Sequence, residues 1–175
     1  MDKAHVIANR FSSGKPLFSV EFFPPKDDAA GERMLRTAER LKPHDPDFIS
    51  ITYGAGGGTR TTTLKYARLL KEEYDFEVMP HLTYVGHTRA ELLQILDDFE
   101  VAGFRNVMAL RGDPPKGETQ FQASEGGFSH ADELVSLIRE NFPQFGIGVA
   151  GYPEKHPEAP GFEDDVRRLA HKVSC

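Results

Sequence analysis

Val107-Met108-Ala109-Leu110-Arg111-Gly112-Asp113-Pro114-Pro115 is the stretch on which the reading of this chain turns. A short apolar run that stops at a charged residue, a glycine and two prolines reads as a buried strand with its C-terminal loop. Arg111 and Asp113 then stand at the strand's exit, where parallel α/β folds keep their chemistry. Three further segments have the same form: Phe18 to Pro25, Ile49 to Gly57, and Val149 to Glu158. Each is an apolar strand with polar residues at its end.

Helical periodicity fills the spaces between these strands. Helices are expected over residues 2–12, 28–42, 60–74, 88–102, 130–141 and 162–174, and strands over 17–23, 47–53, 76–84, 105–111 and 146–151. Thr88 with Glu91 makes a capping box, and Gly103 a helix stop. Pro80 is awkward inside the third strand, because it has no N–H to give a ladder. Residues 114–128 form a long loop rich in Gly, Pro and polar side chains. Alternating short strands and helices argue for one domain, residues 1–175, built on a parallel sheet. Such a sheet is either doubly wound or part of a (β/α)8 barrel, and five βα units fall short of the roughly 250 residues a barrel takes.

A net charge of −6 without a basic tract argues against a nucleic-acid partner. No apolar run approaches the roughly 18 residues of a membrane span, and the first residues lack a signal-peptide core. The single cysteine, Cys175, excludes a disulfide framework and suits the cytoplasm.

Several groups carry chemical promise. Glu21 lies in an apolar run, where an ionised carboxylate must be paired or must hold its proton. A carboxyl so tuned serves as a general acid; otherwise it faces solvent or pairs with Lys26 or Arg111. Arg111 and Asp113 either grip a planar polar ligand or fix their own loop. The glycines from Gly54 to Gly58 allow close backbone approach but match no phosphate-binding fingerprint. His81, Asp113 and His156 would be the ligands of a metal hydrolase, yet their spacing fits no metal motif, and no metal is expected. The loop holding Tyr152, Glu154, His156 and Glu158 between prolines is denser in functional groups than a connector requires.

Taken in order, Ser19 to Pro25, Thr52-Tyr53-Gly54-Ala55, Pro80-His81-Leu82-Thr83, Leu110-Arg111-Gly112-Asp113 and Gly151 to Ala159 resemble the methylenetetrahydrofolate reductase family. The resemblance runs from about residue 10 to the end. It implies a (β/α)8 TIM-barrel type of α/β fold, truncated after about five βα units, with FAD at the strand exits. It implies reduction of 5,10-methylenetetrahydrofolate to 5-methyltetrahydrofolate by NADPH or NADH, in ping-pong order through the flavin. Glu21 would be the general acid that helps open the imidazolidine ring. Asp113 would tune the flavin and steady the developing cation. Flavin contacts would fall on Thr52, Tyr53, Ala55 and His81, on Leu110, Arg111, Gly112 and Asp113, and on Tyr152, His156, Ala159, Asp165 and Lys172. His130 stands where several relatives carry Tyr and is counted with them; Arg168 and His171 occupy positions that vary.

The family continues past the last helix with strands that complete the folate and nicotinamide sites. The expectation is therefore a fragment, a truncated gene model or a shortened isoform. Its open sheet edges would favour self-association, and the alternative function is a non-catalytic flavin-binding or interaction module.

Overall fold

The computed structural model describes residues 6–53, 60–112, 128 and 130–175. Ala55, the Gly54–Gly58 run, Asp113 and nearly all of the 114–128 loop lie outside them. The elements run α1 (Val6–Phe11), β1 (Ser19–Phe22), α2 (Asp28–Leu41), β2 (Phe48–Ile51), α3 (Arg60–Glu72) and β3 (Val78–Thr83). They continue with α4 (Arg89–Val101), β4 (Asn106–Leu110), α5 (Ala131–Asn141), β5 (Gly146–Val149) and α6 (Phe162–Ser174), and a short 3-10 turn follows α2. Most strands are shorter than their apolar runs, because loss of ladder pairing ends a strand before the apolar side chains run out.

The sheet has the order β1-β2-β3-β4-β5, and every neighbouring pair is parallel. A doubly wound sheet reverses its strand order midway; this one advances by one strand each time. Right-handed crossovers that always step the same way lay their helices on the same face. The alternation of side chains shows that division. Ile49, Ile51, Val78, Leu82, Val107 and Ala109 are buried in the large core with Leu70, Leu92, Leu96, Leu134 and Ile138 of the helices. Each such Val, Leu or Ile side chain contributes about 1.5–3 kcal/mol relative to exposure.

Local chemistry sets the helix ends. Asp27 caps α2 by accepting from the Ala30 N–H at 2.7 Å. Thr88 and Glu91 form the expected capping box on α4. At the other end of α4, Gly103 adopts φ +77. Its N–H bonds Glu100 O at 2.8 Å, and the Phe104 N–H bonds Phe99 O at 3.0 Å, a Schellman stop. Phe99 and Phe104 close it edge to face, 5.8 Å apart.

Pro80 sits in β3, opposite Ile51. Because the Tyr84 N–H bonds Leu110 O, the even-numbered residues of β3 direct their backbone toward β4. The donor missing at Pro80 is therefore on the β4 side, and pairing with β4 begins at His81.

α6 ends the described chain with an uncovered stripe: Phe162, Val166 and Val173 remain 57%, 48% and 70% exposed. Among the described residues, no helix is long and apolar enough to cross a membrane.

α2 meets α3 at Gly31, where a Cβ would stand 1.8 Å from the Tyr66 hydroxyl and 2.7 Å from its ring carbon Cζ. Tyr66 is buried, so the ring has little room to yield. Gly31→Ala is expected to lose about 1–3 kcal/mol by overpacking, despite the better helix propensity of Ala. Urea unfolding would measure it, and an unchanged midpoint would show that the ring moves freely.

Candidate active site

The face of the sheet opposite the crossover helices is built in layers. At the N-terminal end, α1 places Ile7 against Phe48 and Met79, with Met108 packed alongside. Gly148 makes room for this plug, since a Cβ there would come within 3.0 Å of Met108 Cε. Asp47 secures it: the Phe18 N–H donates to Asp47 Oδ2 at 2.8 Å, and Arg10 donates to the Asp47 carbonyl.

One step toward the C-terminal ends, the same face turns polar. Glu21 of β1 is registered with Ser50 of β2. The Ser50 Oγ–H donates to Glu21 Oε2 at 3.0 Å. His81 Nε2 of β3 lies 3.3 Å from the same oxygen. The expectation of a carboxylate buried within an apolar strand does not hold: the Glu21 side chain is 48% exposed, because its side of the sheet carries no crossover helix and α1 covers only the N-terminal end. Its partners are Ser50 and His81 rather than Lys26 or Arg111.

His81 itself is buried. Its proximity to Glu21 satisfies an ion-pair distance but not hydrogen-bond geometry, and its Nε2 has no well-formed hydrogen bond among the described residues. Burial pushes the imidazole pKa below its ordinary value, against the opposing pull of the Glu21 charge.

At the exits themselves a cleft of about 810 Å³ opens above β3, β4 and β5 and under α6. Of the residues expected from sequence, Tyr53, Leu110, Arg111, Gly112 and His130 line it from one side. Tyr152, His156, Ala159, Asp165 and Lys172 line it from the other, and Arg168 and His171 join them. Thr52 and His81 are set deeper on the strands and are not in its wall. The Thr52 carbonyl accepts from Thr63 Oγ at 3.3 Å. The Tyr53 hydroxyl is engaged with His87 Nε2 at 3.1 Å.

The walls are tied together. Arg111 at the β4 exit makes a two-pronged pair with Glu158, at 2.6 and 2.8 Å. The hydrogen bond and charge of Arg111 hold the Glu158 carboxyl below its ordinary range. The pair is largely solvent-screened, so its worth to stability is at most about 1 kcal/mol. The Glu158 N–H donates to His156 Nδ1 at 3.1 Å, so a neutral His156 carries its proton on Nε2. Asp165 Oδ2 accepts from the His156 N–H at 3.0 Å. Lys172 Nζ donates to the Ala150 carbonyl at 3.0 Å, and burial pushes its ammonium pKa down. Tyr152 stands edge-on to His156, with ring centroids 4.7 Å apart.

Two backbone features belong to this cleft. Gly112 has φ +92, and a Cβ there would lie 2.9 Å from Thr83 Cβ. Lys155 holds φ +91 while its Nζ donates to the Ala159 carbonyl at 2.7 Å. A non-glycine residue in that region is strained, and such strain gathers at functional sites.

Sequence reasoning missed Ser50. The signal was there: it is the polar residue within the fully buried run Phe48–Ile51, on the same alternating face as Phe48. The sequence marks Glu158 only as part of a dense loop, because its pairing with Arg111 spans 47 residues. Among the described residues, no three His, Cys, Asp or Glu side chains cluster as a metal site.

Comparison with known proteins accords with this geometry. The family model for methylenetetrahydrofolate reductase matches residues 6–175. "Methylenetetrahydrofolate reductase (NADH) 1" of Zea mays is 42% identical over 172 residues, covering 93% of this chain and 29% of the maize protein. "5,10-methylenetetrahydrofolate reductase" of Escherichia coli is 37% identical over 157 residues, covering 90% of this chain and 51% of the bacterial one. The chain thus spans about half the length of the bacterial relatives and under a third of the plant ones. A solved 2,3-dimethylmalate lyase structure overlays 98% of the chain and 59% of its own, with TM-score 0.54 and 10% identity, which speaks to the fold alone.

The lowered proton affinity of His81 has a stability consequence. The unfolded imidazole titrates near 6.5, above the folded value. Between the two values the unfolded chain binds more protons, so stability falls as the pH is lowered through that window. His81→Gln should flatten this part of the pH dependence of the urea midpoint. In Glu21→Gln, NMR titration should find the His81 midpoint lower still. A midpoint that rises would contradict the Glu21–His81 contact.

Proposed function

The chain belongs to the methylenetetrahydrofolate reductase family, and from that premise we propose that it is the first five βα units, residues 1–175, of a (β/α)8 catalytic domain. Its exits hold FAD, and its reaction is reduction of 5,10-methylenetetrahydrofolate to 5-methyltetrahydrofolate. NADH, the reductant in the plant relatives' names, or NADPH supplies the electrons.

The observation that carries the reading is the position of the Glu21 carboxyl. It stands on the face opposite the crossover helices, bonded by Ser50 of β2 and beside His81 of β3, on the sheet whose exits form the cleft. Three features support a flavin there. The cleft has the volume of a cofactor site, within the roughly 300–1,000 Å³ usual for ligands. Gly112 brings bare backbone to its floor, where any Cβ would collide with Thr83. Below the cleft wall, the buried His81 Nε2 lacks a well-formed partner, as a group kept for a ligand reaching down from the cleft would. Tyr53, His81 and Arg111 would hold FAD from the exits of β2, β3 and β4, and Tyr152, His156 and Lys172 from the β5 loop and α6. Bound FAD would supply the two-electron relay between nicotinamide and folate, which would use its site in turn.

The chain's own residues do the rest. Glu21 donates a proton to a ring nitrogen of the folate, which helps open the imidazolidine ring to an iminium. Asp113, the residue after Gly112 in the sequence, would steady that cation by its charge. Arg111, already held through both terminal nitrogens by Glu158, would use its outward N–H groups toward an anionic or carbonyl group with little further ordering cost.

A second reading has its own observation. The uncovered apolar stripe of α6 and the open edges of β1 and β5 suit a chain that associates through this side and performs no chemistry. Electron transfer separates the two. The FAD-loaded chain is reduced by NADH without oxygen and then mixed with methylenetetrahydrofolate. The enzyme reading predicts reoxidation, slowed about 100-fold or more in Glu21→Gln, with reduction by NADH unaffected. Reoxidation of Glu21→Gln at the unsubstituted rate would overturn the acid assignment. A chain that takes up FAD but never passes electrons to folate would leave the second reading standing.

A further inference from the structure

Tyr53 lines the cleft at the β2 exit, yet it is buried, and its hydroxyl lies 3.1 Å from Nε2 of an equally buried histidine, His87. His87 is not in the cleft wall. The two rings meet edge to face, with centroids 5.9 Å apart. The phenol of Tyr53 is thus drawn back into the protein, and what it leaves to the cleft is its ring.

Local chemistry places His87 from both sides. Past β3 the Tyr84 and Val85 N–H groups still donate to the carbonyls of Leu110 and Arg111, at 3.3 and 3.1 Å. The chain then reverses. The His87 N–H donates to the Tyr84 carbonyl at 3.1 Å, and Gly86 before it has φ +75, as the third residue of a type II turn requires. A Cβ on Gly86 would meet nothing within 4 Å, so the glycine serves backbone conformation and not space. Directly after His87, Thr88 opens α4 in the capping box with Glu91, whose carboxylate accepts the Thr88 N–H at 2.7 Å. His87 therefore stands between a hydrogen-bonded turn and a capped helix. On the other side of the pair, the residue before Tyr53 is tied to α3, where Thr63 Oγ donates to the Thr52 carbonyl. With both backbones fixed, the bond to His87 removes the freedom that remains, that of the Tyr53 ring.

A bland account is that a buried phenol must find a partner and His87 supplies one. That account makes the pair indifferent to whatever fills the cleft. Yet the same bond decides what the cleft presents at the β2 exit: a free Tyr53 would offer a hydroxyl, and a held one offers a fixed apolar ring.

We propose that His87 is the positioning residue of Tyr53: it holds the phenol out of the cleft, so that Tyr53 meets the cofactor with its ring, as an apolar wall for a flat ring system. This rests on the reading of the cleft as the flavin site. Because a phenol both donates and accepts, the hold persists whichever ring nitrogen of His87 carries the proton. The ring is ordered before the ligand arrives, so binding does not have to order it.

Two readouts on the full chain test this, and the first needs no ligand. In NMR of the isotope-labelled chain, Tyr53→Phe, which removes one oxygen, should shift the His87 Nε2 resonance. His87→Ala should spread the Tyr53 side-chain couplings over more than one staggered well. His87→Gln, whose amide nitrogen reaches the place of Nε2, should return them to one rotamer. The second readout is FAD affinity, followed by quenching of flavin fluorescence. Tyr53→Phe and His87→Ala should each weaken it about fivefold, the worth of one ordinary hydrogen bond. The double variant should lose no more than either single one, and His87→Gln should bind as the unsubstituted chain does. An unmoved His87 resonance in Tyr53→Phe overturns the proposal, and keeps the test decisive should His87→Ala fail to fold. So does a single Tyr53 rotamer retained in His87→Ala, or FAD losses that add, as they would if the hydroxyl touched the cofactor itself. A chain that shows the NMR changes but binds no FAD overturns the flavin reading, and with it the role given to the ring, while the hold of His87 on Tyr53 stands.

Discussion

A parallel strand can be reached from its neighbour only by a crossover, and that constraint shapes the molecule. Because every crossover here advances one strand in the same direction, all five strands point the same way and all five exits lie on one edge. The crossover helices fall on one face and leave the other covered only at its N-terminal end, by α1. Glu21, Ser50 and His81 are neighbours only because β1, β2 and β3 are adjacent and in register. Arg111 meets the β5 loop only because β4 and β5 are.

That other face is divided along its length. Below, Ile7, Phe48 and Met79 close it with apolar contacts. Above, polar groups take over within two residues on the same strands, from Phe48 to Ser50 and from Met79 to His81. A buried polar group is costly unless it is paired, so the step from plug to polar layer is tolerable only where partners converge. Glu21 supplies that partner for Ser50 and stands 3.3 Å from His81 Nε2. At the exits the backbone takes over the shaping. Gly112 bends where no side chain fits, and Lys155 is held in a strained conformation by its own ammonium bonding two turns of loop together.

What could be read from the sequence follows the range of the physics involved. The capping box at Thr88 and Glu91 and the stop at Gly103 depend on residues within a few positions of each other, and both are found as expected. Strand and helix order was equally legible, because periodicity is local. Strand ends were not, since they depend on where a neighbour's ladder ceases. Whether the sheet is singly or doubly wound lies in no local pattern, and only the resemblance pointed to the advancing order. The partners of Glu21 were misjudged for the same reason: Lys26 is near in sequence, whereas Ser50 and His81 are near only after β1, β2 and β3 pair. Its expected burial failed because an apolar run does not reveal that one face of the sheet carries no crossover helix.

The central claim is that the five exits already make a flavin site. Its most direct measurement is an FAD titration of the purified chain, read by visible absorption and by co-elution on a sizing column. The account predicts that FAD travels with the folded chain, with a shifted and structured flavin band, and that Arg111→Ala weakens its retention. A folded chain from which all flavin elutes separately would contradict it.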